Sequence, residues 1–185
     1  VLPSDPRILN ELSRLVGAIV LYFGVFEATL QSTILAIHHG ADERDPEDKR
    51  LPHDQFTVWT SFMRESVKHD GMGPFAERIV ELMDEAERLA PKRNQLVHGY
   101  MSSYDEATQT FLFRKFNRQK VKDDLTDEVV EILGETPLPI TLAELEAYGE
   151  QVHAMCIGLS ELAPRMMEAF FGQTADVLDV TRPSQ

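Results

Sequence analysis

Cysteine is nearly absent from this chain. Cys156 is the only one in 185 residues, so no internal disulfide can carry the fold, and a reducing compartment such as the cytoplasm is the expected location. Cys156 itself reads as a small buried apolar residue on a helix, with no neighbouring base to activate its thiol. Zinc patterns are missing too: there is no H-E-x-x-H and no Cys/His pairing, and His38 and His39 merely close a helix. Without a glycine-rich phosphate loop or a dinucleotide-binding motif, neither metal nor cofactor is expected. Positive charge is scarce. Eighteen Lys and Arg stand against 31 Asp and Glu, a formal charge of −13, which repels nucleic acid at long range and argues against tight duplex binding. A small local basic site remains compatible with that balance. Long apolar runs are lacking as well. Leu15 to Phe26 holds 12 residues before Glu27 interrupts, whereas a bilayer needs about 20; a buried helix is expected and no membrane partner. No signal peptide is apparent in these residues, and a start at Val1 leaves an earlier, removed segment open.

What the chain does have is helical periodicity. With 43% hydrophobic and 26% charged residues, it has the balance of one soluble domain covering 1–185. Ile8, Leu12, Leu15, Ile19, Tyr22, Phe26, Leu30, Ile34 and Ile37 recur at spacings of three and four and predict a first helix from Pro6 to His38. Its middle is apolar on nearly every side, as in a central helix or one shared with a partner. Gly17, Gly24 and Ala28 lie near one face and would admit a close neighbour. Residues 42–53 form a charged loop, whose Asp42, Asp45 and Asp48 lack calcium-loop spacing. Phe56, Trp59, Met63 and Val67 mark a second helix. Pro74 opens a third, with Phe75, Ile79, Leu82, Ala86 and Leu89 on its apolar face. Pro91 either kinks this helix or separates a fresh short one over 91–98, and Gly99 ends it through the left-handed conformation open to glycine.

A β-hairpin is expected next. Tyr100, Ser102 and Tyr104 alternate into a turn at Asp105 to Thr108, and Phe111 and Phe113 alternate out of it. Residues 119–139 suit either a short helix or, at Val129 to Leu133, a strand. The last helix starts at a capping box, Thr141 with Glu144, flanked by a hydrophobic staple of Ile140 and Leu145. Leu145, Val152, Leu159 and Met166 repeat every seven residues, with Tyr148, Met155, Leu162 and Ala169 as companion row. Pro164 predicts a kink, and 172–185 a frayed tail. The expected fold is therefore all-α: a bundle of about four long helices with a small β-hairpin inserted before the last.

The chemistry is concentrated in Arg93-Asn94-Gln95-Leu96-Val97-His98, followed by Gly99. On a helix, Asn94 and His98 lie about 40° apart on one face, and Arg93 stands about 140° from His98, so guanidinium and imidazole bracket a groove. An imidazole at this position is expected to serve as general acid or base. The segment resembles the R-x4–6-H motif of HEPN domains, and the looser likeness extends over residues 8 to 170. That resemblance implies metal-independent RNA cleavage at a composite site on a dimer axis. Arg93 would hold the phosphate, His98 would act on the 2′-hydroxyl or the leaving oxygen, and Asn94 would orient. It equally allows a non-catalytic interaction module, such as the inert partner in a toxin–antitoxin or defence system, or a small anionic ligand held by Arg93.

Two further features bear on this site. Glu27, a carboxylate within an apolar helix, must be paired, neutralised or at a surface. It either pairs with Arg93 or orients His98, or else meets another arginine or the helix edge. Arg114, Lys115, Arg118, Lys120 and Lys122 form a basic cluster interleaved with Phe111, Phe113 and Phe116. Such a cluster can grip single-stranded RNA through phosphates and stacked bases; equally, it can be an edge strand protected by charge with its phenylalanines facing the core.

Overall fold

The computed structural model describes residues 2–41, 56–68, 72–122 and 129–180, with side chains placed in 2–37, 56–68, 72–118 and 133–171. Helices dominate: α1 (Pro6–Ala41), α2 (Phe56–Ser66), a 3-10 turn (Gly73–Phe75), α3 (Ala76–His98) and α4 (Leu142–Val180). Three strands lie between α3 and α4, namely β1 (Tyr100–Asp105), β2 (Thr110–Lys122) and β3 (Val129–Thr141). They form one antiparallel sheet in the order β1-β2-β3. The expected loop at 42–53 and the end of the expected tail, 181–185, lie outside the described residues.

The all-α expectation with a two-stranded insertion is corrected by β3. β2 and β3 pair over their whole length, from Thr110 opposite Thr141 to Lys122 opposite Val129. Val129, Val130 and Ile132 are β-branched and favour a pleated strand over a helix. Pro137 and Pro139 exclude a helix and are tolerated because β3 is an edge strand. The β1–β2 turn is held by Asp105, whose carboxylate accepts from the Ala107 amide at 3.0 Å and the Thr108 hydroxyl at 2.8 Å. Gln109 completes the turn at φ 52°, the left-handed region.

Two prolines leave their helices continuous. Pro91 lies inside α3 and Pro164 inside α4. Each removes one backbone donor, but Leu89 and Leu96 are buried on either side of Pro91, and Leu162, Ala163 and Met166 around Pro164. Backbone helix also continues beyond Gly172 to Val180, where a frayed tail was expected. Gly99 follows α3 directly, but not for the expected reason: its φ lies outside the left-handed range, and what requires glycine is space. A Cβ there would stand 2.8 Å from the Arg114 carbonyl oxygen and closer still to that of Gln95.

The described chain groups into two compact units, residues 1–20 with 90–150, and residues 21–89 with 151–185. In the second unit, Phe23, Phe26 and Phe56 meet ring to ring, with centroids 6.2 to 6.4 Å apart. Beside them runs an ion-pair network that periodicity did not announce. Arg64 donates to both Glu87 oxygens at 2.8 and 2.9 Å and to Asp84 at 2.7 Å, while the buried Thr60 hydroxyl donates to Glu87. The Glu87 carboxyl is held below its ordinary value of 4.5, first by Arg64 and then by Thr60.

In the first unit, the capping box forms as the sequence predicts. The Thr141 amide donates to Glu144 at 2.9 Å, and the Glu144 amide to the Thr141 hydroxyl at 3.2 Å. Along α4, whose residues up to 150 belong to the first unit and the rest to the second, Leu145, Val152, Leu159 and Met166 are fully buried, and Tyr148, Met155 and Leu162 nearly so.

Helix α1 is long and apolar enough to cross a membrane by length and composition, because Glu27 is a tolerable single charge in a longer window than the 12-residue run. Its Ile19, Phe23, Phe26, Leu30, Ile34 and Ile37 are buried, while the apolar window as a whole is 28% buried. The opposite face is uncovered. Gly17, Gly24 and Ala28 are exposed together with Val20, Leu21 and Val25, and a Cβ at either glycine would meet nothing within 4 Å.

Candidate functional site

The motif residues occupy the last turns of α3 in the first unit. Arg93 is half-buried, with its Nε buried, and its Nη1 donates to Asn94 Oδ1 at 2.9 Å. The Asn94 side chain thus holds the Arg93 guanidinium by its amide oxygen. Leu96 is buried and anchors this end of the helix. His98 is the final helical residue and is exposed, so its imidazole faces water. Five positions on a helix separate the guanidinium and imidazole by about 140° of rotation, and the arginine is held while the histidine is open.

Gln95, which carried no expected role, and Gly99, expected only as a helix stop, fix the frame around the motif. Gln95 donates from Nε2 to the Thr136 carbonyl at 2.7 Å, tying α3 to β3. Gly99 lets the chain pass tightly against Arg114 on β2. A glutamine inside a helix gives no hint in sequence of a backbone acceptor some forty residues later.

Glu27 lies half-buried on α1, among the residues of the second unit. The basic cluster is divided by the pleat, since successive side chains on a strand point to opposite faces. Arg114, Phe116 and Arg118 share one face of β2, and Lys115 lies on the other; the side chains of Lys120 and Lys122 lie outside the described residues. Arg114 binds Glu135 at 2.5 Å, and Arg118 is exposed. Of the three phenylalanines, Phe111 and Phe113 are buried, whereas Phe116 is half exposed.

Sequence reading missed Tyr100 as a functional candidate. Its ring stacks on Phe116 at 5.6 Å between centroids and 25° between planes, and its hydroxyl donates to Glu135 at 3.3 Å. Local burial, followed by the Glu135 carboxylate, pushes the phenol up from its ordinary value, so it stays a donor. Among the described residues, no group of three or more His, Cys, Asp or Glu could hold a metal ion. Cys156 is buried, and burial pushes its thiol up, away from reactivity.

No family model matches the chain, and no curated protein or solved structure matches it either.

Proposed function

We propose that this chain is a HEPN-like, metal-independent endoribonuclease acting on single-stranded RNA, with Arg93, Asn94 and His98 as its machinery. The observation that carries the reading is the contrast within one helix end: a guanidinium oriented by Asn94 at 2.9 Å, and an imidazole open to water. In the reaction, one imidazole nitrogen takes the proton of the 2′-hydroxyl. The resulting oxygen attacks the adjacent phosphorus, Arg93 stabilises the charge gathering on the phosphoryl oxygens, and the 5′-oxygen leaves, taking its proton from the imidazolium so formed. The products are a 2′,3′-cyclic phosphate and a 5′-hydroxyl, formed in the presence of a chelator. The finer architecture, a four-helix bundle of the HEPN kind, belongs to this proposal, as do a cytoplasmic setting and a homodimer joined through the uncovered apolar face of α1. Glu27 is assigned a supporting role and Arg114, Lys115 and Arg118 a role in RNA contact.

Incubating the protein with single-stranded RNA and a chelator tests the chemistry. His98→Ala and Arg93→Ala should each lower cleavage by at least about a hundredfold, with circular dichroism unchanged. Equal cleavage by the wild type and both variants rejects it.

A second reading, a non-catalytic interaction module, is favoured by how much of the motif serves the fold, through Gln95 on Thr136 and Gly99 against Arg114. It requires that the wild type leave RNA intact and that the α1 face bind a different protein.

A further inference from the structure

We infer that the Tyr100–Phe116 ring pair is a stacking platform for an unpaired base of single-stranded RNA, with Arg118 beside it for the backbone phosphate. The inference rests on the reading of RNA as ligand, and it deepens that reading by assigning where the RNA is held next to His98.

Apolar side chains on a sheet normally face a core, yet this pair does not. Tyr100 is 43% and Phe116 50% exposed, and Leu133, in register with Arg118, is 68% exposed. Register and alternation put Tyr100, Arg114, Phe116, Arg118, Leu133 and Glu135 on a single face. The platform is braced from below. Glu135 accepts from the Tyr100 hydroxyl and pairs with Arg114, which fixes the tyrosine ring against Phe116. Large, rigid aromatic faces are sequence-tolerant seats for bases.

Charge selects the occupant. β2 holds five of the chain's 18 Lys and Arg residues, Arg114, Lys115, Arg118, Lys120 and Lys122, and no acid between Thr110 and Lys122. In a protein of charge −13 this strand runs against the prevailing sign. On β3, Glu135 pairs with Arg114, and Glu131 stands in backbone register with Lys120. An exposed aromatic face beside cations suits a polyanion that presents flat apolar groups, which is single-stranded nucleic acid. A duplex, with its bases already stacked on each other, has none to offer.

Position links the platform to the motif. His98 ends α3 and Tyr100 begins β1, with only Gly99 between. Two residues span at most about 7 Å of chain, and Gly99 is pinned against Arg114. The platform and the exposed imidazole thus begin on backbone two residues apart, and the proposal assigns the phosphates of a nucleotide stacked there to His98.

The test is an anisotropy titration with a fluorescent single-stranded RNA carrying 2′-O-methyl groups, which removes the attacking hydroxyl and isolates binding from cleavage. Phe116→Ala and Tyr100→Ala should each raise Kd by about tenfold with an unchanged salt slope. Phe116→Tyr should bind as the wild type does, and Arg118→Ala should flatten the salt slope by about 0.7. Phe116→Leu, which keeps apolar bulk without a ring, should weaken binding as alanine does, separating stacking from misfolding. Wild-type affinity in both aromatic variants, or no binding by the wild type, overturns the platform. So does unchanged RNA affinity with a lower mass by light scattering in Phe116→Ala, which would make this face a contact between copies. The two proposals fail separately. A platform that binds without any cleavage removes the chemistry alone, and cleavage lost in His98→Ala with binding unchanged in both ring variants removes the platform alone.

Discussion

At the scale of single residues, Gly99 sets how closely α3 and β2 approach. With a Cβ forced to within 2.8 Å of the Arg114 carbonyl and closer to that of Gln95, Gly99→Ala must displace either the end of α3 or β2. A loss of about 1–3 kcal/mol in urea unfolding is expected, the usual range for overpacking. Gly24→Ala is the internal comparison: its Cβ meets nothing within 4 Å, and alanine should raise helix stability by about 0.5–1 kcal/mol. Equal effects at both sites would refute the steric account of Gly99. His98, being exposed, should lose little stability on replacement, and that is why its cleavage assay can be read as chemistry.

At the scale of elements, stability rests on a cap and an ion-pair network, both legible in their response to substitution and acid. Thr141→Ala removes the hydroxyl that accepts from the Glu144 amide and donates to its carboxylate at the start of α4, and should cost about 1 kcal/mol, measured by urea unfolding. Glu87 carries the pH dependence. Its folded-state pKa lies below the unfolded value near 4.5, so its contribution is complete above that value and is lost as pH falls through the folded one. Unfolding free energy measured from neutral to acidic pH should therefore decline on the acid side, and Glu87→Gln should flatten that limb while lowering the neutral plateau. An unchanged acid limb in Glu87→Gln would assign the loss to other carboxylates, among them Glu144, which Thr141 likewise holds below its ordinary value.

For the whole molecule, the question is what covers α1. One side of the helix is fully sealed, while Val20, Leu21 and Val25 stand in water with Gly17, Gly24 and Ala28 among them. A second copy is the proposed cover. Leu21→Asp, at a position 63% exposed, should convert a dimer to a monomer in light scattering while leaving the subunit's folded spectrum intact. A wild type that is already monomeric at high concentration would discard the homodimer.

The helices were legible because burial on one side of a helix leaves a period in the sequence. The α4 rows and the Thr141–Glu144 box could be written from spacing alone, as could α3 from Ile79 to Leu89. β3 was ambiguous, because Val129 to Leu133 is apolar in a way both a strand and a short helix accept, and only its pairing with β2 decides between them. Likewise the motif Arg93 to His98 was visible as composition, but composition cannot tell which of its members is held and which is open. A contact between neighbours, Arg93 on Asn94, holds the guanidinium, while contacts distant in sequence set the frame around it: Gln95 on Thr136, Gly99 against Arg114, and Tyr100 on Phe116. Local order and periodicity are properties of neighbours along the chain, so the sequence alone determines them. Exposure and ring stacking depend on which surfaces meet in space, and tertiary structure alone supplies those.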